Sequence, residues 1–173
     1  SGNFSTANIN YNIAIGTNGG GGVTTGSQNI LIGQGTGMGT LTGDLNTVVG
    51  DSAAASLTSG ANNTLIGGLA GDALTTGANN VAVGYEALST EDAHGDNVAV
   101  GYQALKTLNV GADSFNTAVG YLAGTNMTTG IENAIYGSFA GDALTDADFN
   151  VALGGSALSS DTLGSQSTAV GFG

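Results

Sequence analysis

Apolar residues arrive along this chain in short bursts, each opened by Asn and closed by Gly. With the Asn as position zero, the bursts are Asn12 (NIAIG), Asn29 (NILIG), Asn46 (NTVVG), Asn63 (NTLIG), Asn80 (NVAVG), Asn97 (NVAVG), Asn116 (NTAVG), Asn133 (NAIYG), Asn150 (NVALG) and Ser167 (STAVG). Successive bursts are 17 residues apart, except for 19 between Asn97 and Asn116. Ten units thus fill residues 1–173 as a single repeat domain. Such self-similarity predicts a solenoid, in which each unit is one coil that buries its apolar face against its neighbours.

Each column of the repeat has a physical reading. Positions one to three predict a short strand, because three apolar residues sit between an Asn and a Gly. Position three is always large, from Ile15 through Val100 to Val170, and position one lies on the same face because side chains alternate. On that reading Val100→Asp buries an unpaired charge and is severely destabilising. Position two faces the other way, yet it is Ala, Leu, Val or Ile. Both faces therefore look covered, one by the coil's interior and the other by a second segment or another subunit. Asn12, Asn29, Asn46, Asn63, Asn80, Asn97, Asn116, Asn133 and Asn150, stacked one strand spacing apart, are expected to form an amide ladder. Gly16, Gly33, Gly50, Gly67, Gly84, Gly101, Gly120, Gly137, Gly154 and Gly171 occupy position four, where a turn with positive φ or a close backbone approach is expected. A second Gly corner recurs at position fourteen, for example Gly43, Gly60 and Gly77.

The rest of each unit supplies the other wall. Position seven is Ala from Ala53 through Ala157, and a bulky residue follows at eight (Leu88, Leu105, Leu158) or eleven (Leu74, Met127, Leu144). The three-residue offset in "AGDAL" suggests a helical turn with Asp72 and Asp142 as N-caps. The two extra residues fall in "ADSF" (112–115), where a loop should leave one corner. "TNGGGG" (17–22) lacks the Ala and Leu and reads as an irregular end unit. The fold class that follows is all-β, a parallel β-solenoid or β-roll of about ten 17-residue coils. Its length would be on the order of 50 Å.

Composition narrows the function. Only 8% of residues are charged while 40% are apolar, a combination that excludes the disordered class. The net charge is −12, with Lys106 the single basic residue apart from one His, which argues against nucleic acid and anionic membrane as partners. No apolar run approaches the roughly 18 residues of a bilayer span. Neither a signal peptide nor an initiator Met is visible, so the chain is expected to start after processing or to be part of something longer. Without Cys there is no disulfide, thiol or thiolate-metal chemistry.

The units "NVAVGYEAL", "NVAVGYQAL" and "NTAVGYLAG" resemble the repeat regions of bacteriophage tail fibres and related bacterial surface proteins. They are also similar to the "N-[ST]-V-A-[IV]-G" coils in the heads of trimeric autotransporter adhesins. The resemblance covers essentially the whole chain. It implies a left-handed parallel β-roll, three chains side by side, an extracellular, cell-surface or virion location, and a role in attachment to a surface glycan or protein receptor. The period of 17 is longer than the coil of the adhesin heads.

Candidate chemistry is sparse. His94 is the only His and anchors no Ser–His pair. Asp142, Asp146 and Asp148 in one loop, and Glu91, Asp92 and Asp96 in another, are candidate Ca²⁺ ligands, although a solvated acidic edge explains them more simply. Otherwise no cofactor is expected. Tyr85, Tyr102 and Tyr121 share position five, either as an aromatic stripe for sugars or as a stack shielding the corner. Thr-rich corners ("TTG" at 24–26, 75–77 and 128–130) raise ice binding as a minor alternative. The leading expectation is a non-enzymatic structural and adhesive fibre segment that assembles with itself, the homotrimer being what the resemblance implies. The alternative is an extracellular filament built head to tail: Asn12 would follow Ser167 by eighteen residues if Gly173 of one copy met Ser1 of the next. A polysaccharide-cleaving solenoid ranks third, because such sites need basic residues beside their acids.

Overall fold

The structure, a computed structural model, describes residues 11–173. Ser1, one side of the head-to-tail junction considered above, lies outside them. Ten three-residue strands stack in chain order: β1 (Ile13–Ile15), β2 (Ile30–Ile32), β3 (Thr47–Val49), β4 (Thr64–Ile66), β5 (Val81–Val83), β6 (Val98–Val100), β7 (Thr117–Val119), β8 (Ala134–Tyr136), β9 (Val151–Leu153) and β10 (Thr168–Val170). Every pairing is parallel, and each residue meets its equivalent in the next coil. The register absorbs the insertion, so Val98 still faces Thr117. Among the described residues there is no helix. The protein is a parallel β-solenoid of ten strands.

The strand faces are the reverse of the expectation built on position three. Position two points into the coil: Leu31, Val48, Leu65, Ala82, Ala99, Ala118, Ile135 and Ala152 are fully buried. Positions one and three point outward and are half-buried or exposed in all ten strands. Val100→Asp therefore places its charge on the outside of a single chain. Bulk misled the assignment. The interior is narrow, and its strand row must shrink to Ala wherever the opposite wall is large.

That exchange of volume runs through most of the stack, Ala14 against Gly20 in the first coil being one exception. Position eight faces position two across the coil. Leu31, Leu65 and Ile135 at position two are matched by Gly37, Gly71 and Gly141 at eight, where an added Cβ would press on those same side chains. Ala82, Ala99 and Ala152 are matched by Leu88, Leu105 and Leu158, and Val48 by Ala54. Gly124 breaks the pairing with Ala118, because Leu105 and Ile135 of the adjoining coils already crowd its space. The Ala column at seven, from Ala53 to Ala157, and the residues Leu57, Leu74, Leu108, Met127 and Leu144 at eleven complete one continuous core. Constant volume per coil keeps the rungs evenly spaced, and interiors packed this densely tolerate little mismatch.

The offset in "AGDAL" is a single turn rather than the start of a helix. Leu74 and Leu144 each donate N–H to the carbonyl of Gly71 and Gly141 at 3.1 Å. Asp72 and Asp142 accordingly cap no helix, and one carboxylate oxygen of each is buried without a hydrogen bond. Desolvation raises the pKa of both above the usual 3.8.

Left-handed residues make the corners. The residue before the Asn has φ of 51–63° in all ten units, including Leu45, Phe115 and Phe149. Positions six and eight are left-handed as well, for instance Glu86, Gln103, Leu88 and Leu105. A side chain in this region costs on the order of 1–2 kcal/mol. The compensation is visible in the backbone: Leu45, Gln103 and Leu88 donate N–H to the carbonyls of Ser27, Tyr85 and Ala104 in adjoining coils at 2.9–3.1 Å. Each kinked residue thus keeps its N–H aligned with the stacking axis.

Candidate functional site

Position zero is the most elaborate polar feature. Asn29, Asn46, Asn63, Asn80, Asn97, Asn116, Asn133 and Asn150 are buried. The Oδ1 of Asn46 accepts from the backbone N–H of Asn63 and from its Nδ2, both at 3.0 Å. Asn63 Oδ1 in turn accepts from Asn80 N at 2.9 Å. The same relation begins at Asn12, whose Oδ1 accepts from Asn29 N at 2.8 Å, and ends at Asn150, whose Oδ1 accepts from Ser167 N at 2.9 Å. Most of the Nδ2 groups also bond within their own coil. Asn46 and Asn116 donate to the position-fourteen carbonyls of their own coils, Gly60 at 2.9 Å and Gly130 at 2.7 Å. One side chain therefore closes its coil and ties it to the next.

Position four has φ between 126° and 148° from Gly16 to Gly171. A Cβ on Gly33, Gly50, Gly67, Gly84, Gly101, Gly120, Gly137 or Gly154 would come closer than 3.0 Å to the carbonyl of the next position-four Gly. Both reasons for Gly act here together, the positive φ and the close approach.

Tyr85, Tyr102 and Tyr121 form an outward stack. Centroids lie 5.7 and 5.2 Å apart with interplanar angles of 16° and 14°, and Phe139 closes one end edge-on at 5.3 Å. Their faces are turned toward one another, and each ring remains about half exposed. Beside them Lys106 Nζ meets Glu86 Oε2 at 2.5 Å, and Gln103 donates to the same oxygen at 2.8 Å. Lys106 holds the Glu86 carboxyl below its ordinary value, and Glu86 in turn raises Lys106. The hydrogen bond to Glu86 raises Tyr85.

The Thr corners are half-buried or exposed, and several of their hydroxyls bond along the stack. Thr58, Thr75 and Thr145 donate their hydroxyls to the carbonyls of Thr75, Asp92 and Thr162 at 3.0, 2.6 and 3.0 Å. Asp146 and Asp148 are engaged in the same manner, accepting from the Thr129 hydroxyl at 2.7 Å and from Ile131 N at 2.9 Å. Asp142, Asp146 and Asp148 do not form a three-ligand group. Asp96 accepts from Asn79 Nδ2 at 3.1 Å in a short exposed ladder that begins at Asn62.

Glu91 is the departure from pattern. It occupies position eleven, which is Leu or Met in Leu57, Leu74, Leu108, Met127 and Leu144, and it is fully buried. Its location follows from the insertion. Elsewhere the N–H groups of positions thirteen and fourteen donate to the position-twelve carbonyl of the next coil, as Thr76 does to Asp92 and Gly60 to Thr75, both at 3.3 Å. The next coil after Asn80 carries the two extra residues, and that corner moves away. Ala93 and His94 donate instead to Glu91 Oε1 at 3.4 and 3.1 Å, while Val110 donates to Oε2 at 3.4 Å. From the inserted loop, Asp113 accepts from Gly95 N at 3.1 Å, and Ser114 donates to Asn97 Oδ1 at 2.8 Å. His94 stands at position fourteen, and its counterpart Gly111, unlike Gly43, Gly60 and Gly77, has nothing within 4 Å of where a Cβ would stand. Among the described residues, Glu91, Asp92 and His94 are the one set of three metal-ligating side chains whose ligand atoms lie within 4.8 Å of one another. The signals in the sequence are the insertion at 112–115 in the coil after Asn97 and a Glu at position eleven of the coil before it, where Leu or Met is usual.

No protein-family model, curated protein or solved structure matches the chain. Among the described residues no helix is long and apolar enough to cross a membrane.

Proposed function

We propose that this chain is a structural and adhesive fibre segment, working outside the cell or on a virion, whose copies associate side by side as a homotrimer through the outer strand face. The observation that carries this reading is the distribution of charge. Positions one and three of the ten strands present twenty outward side chains, all Ile, Val, Leu, Ala, Thr or Tyr. None of the thirteen acids falls on that face, although the net charge is −12. Away from the two end strands, Ile66, Tyr136, Val151 and Leu153 are 37%, 42%, 40% and 49% exposed in the single chain, and the other outward strand residues are half-buried. A contiguous apolar face of this extent marks an interaction surface. Burying it between chains would remove the remaining apolar strand surface from water, as the two-faced pattern of the strands requires. Adhesive specificity then belongs to the corners that depart from the repeat, the Tyr85–Tyr102–Tyr121 stack and the inserted loop among them, acting without catalysis on a surface glycan or protein.

Small-angle scattering of the purified chain tests the arrangement. Side-by-side assembly thickens the rod at constant length, on the order of 45 Å for ten strands. Head-to-tail stacking lengthens it at constant thickness and would favour a filament subunit. A single thin rod of that length would overturn both.

A further inference from the structure

The corner where the stack is interrupted gathers the only His of the chain, its one fully buried carboxylate and a neighbouring Asp. We propose that Glu91, Asp92 and His94 bind one divalent transition-metal ion of the Zn²⁺ type, through His94 Nδ1 and one oxygen of each carboxylate.

Three observations carry this assignment. First, the ligand types depart from the pattern of their columns. Glu91 stands at a position that is Leu or Met in five other coils, and is fully buried, and His94 stands in a column that is otherwise Gly or Ala. An interior carboxylate is costly unless its lone pairs are engaged. Here two of its three backbone bonds are 3.4 Å long, which leaves acceptor capacity. Second, His94 Nδ1 is buried, makes no hydrogen bond and lies 3.5 Å from Glu91 Oε1. Two atoms bound to one tetrahedral Zn²⁺ at about 2.0–2.2 Å sit roughly 3.3–3.5 Å apart, so the pair already has the spacing of shared ligands. Third, all three side chains leave one turn of four residues, and its backbone is held by the bonds to Glu91. Little ordering is needed on binding.

The donor set selects the ion. One imidazole and two carboxylates suit Zn²⁺ and similar first-row ions, with water completing the shell. Ca²⁺ would need six to eight oxygens, which this turn does not offer. The ion would sit at the corner where the usual backbone bonds between coils are missing, so its effect is to hold the turn 91–94.

The test is titration of the full chain with ZnCl₂, followed by calorimetry and by NMR of the imidazole nitrogens, in which a sole His gives one unambiguous pair of signals. The expected result is one ion per chain, a shift of the Nδ1 signal to that of a coordinated nitrogen, and a melting midpoint raised by Zn²⁺. His94→Ala should keep its fold, because Ala147 occupies the same column in another coil. It should weaken binding by at least about tenfold. Absence of binding in large excess of Zn²⁺, an unmoved imidazole signal, or equal binding by His94→Ala would overturn the proposal. CaCl₂ binding of similar strength that survives in His94→Ala would also overturn it, by showing an acidic edge alone.

Discussion

Adjacent substitutions on β6 separate the two faces of the strand. Ala99 is fully buried between Ala82 and Ala118 in the interior row. Ala99→Asp puts a carboxylate where no donor is free to meet it. The effective penalty for burying an unpaired ion is several kcal/mol. Added volume in a filled coil contributes a further 1–3 kcal/mol or so. Against a domain stability of about 5–15 kcal/mol, that is enough to unfold much of the population. Val100 is half-buried and faces outward. Val100→Asp loses part of a side chain's burial and strand preference, about 1 kcal/mol within one chain. Any further loss arises from assembly and therefore depends on protein concentration. Urea unfolding followed by far-UV circular dichroism, at several concentrations, measures both terms. Ala99→Asp should lose most of its stability at every concentration. Val100→Asp should approach wild type once the wild-type chain is dilute enough to dissociate. A large, concentration-independent loss for Val100→Asp, or a near-wild-type midpoint for Ala99→Asp, would refute the assignment of the interior row.

Three further outcomes follow from the geometry. Asn63→Ala removes the acceptor of Asn80 N and the donor to Gly77 O, leaving buried groups unpaired, and should cost about 2–5 kcal/mol in urea titration. Gly84→Ala must strain its backbone at φ 140° and push Gly101 away, whereas Gly171→Ala, with nothing within 4 Å, bears only the backbone strain of about 1–3 kcal/mol; the thermal midpoint should fall further for Gly84→Ala. Burial raises the folded pKa of Asp72, so its ionisation opposes folding: the stability associated with its neutral form is present below the ordinary value of 3.8 and is lost as pH rises through the raised one. Asp72→Asn should therefore melt higher than wild type at neutral pH, and the difference should disappear in acid.

The period was legible because position zero and position four tolerate almost no substitution, so Asn and Gly mark every coil. The strand's orientation was not. Position three is bulkier than position two, and bulk usually signals the interior. In a coil this narrow, the inward row is set by what stands opposite, as Ala99 against Leu105 and Leu65 against Gly71 show. That rule relates positions six residues apart, which neither a strand nor a helix period detects. Positive φ at Leu45 or Phe115 was hidden as well, because those residues carry no turn signature and are held by hydrogen bonds to other coils. At the candidate site, His94 and the acids were visible individually. What joins them is the inserted loop at 112–115 in the adjoining coil, which displaces Gly111.

Sedimentation equilibrium of the wild-type chain over a wide concentration range tests most directly whether the outer strand face is an interface between subunits. The account predicts a single species of three times the 16.7 kDa chain mass, dissociating on dilution and lost in Val100→Asp. A monomer at every concentration, with Val100→Asp indistinguishable from wild type, would contradict it.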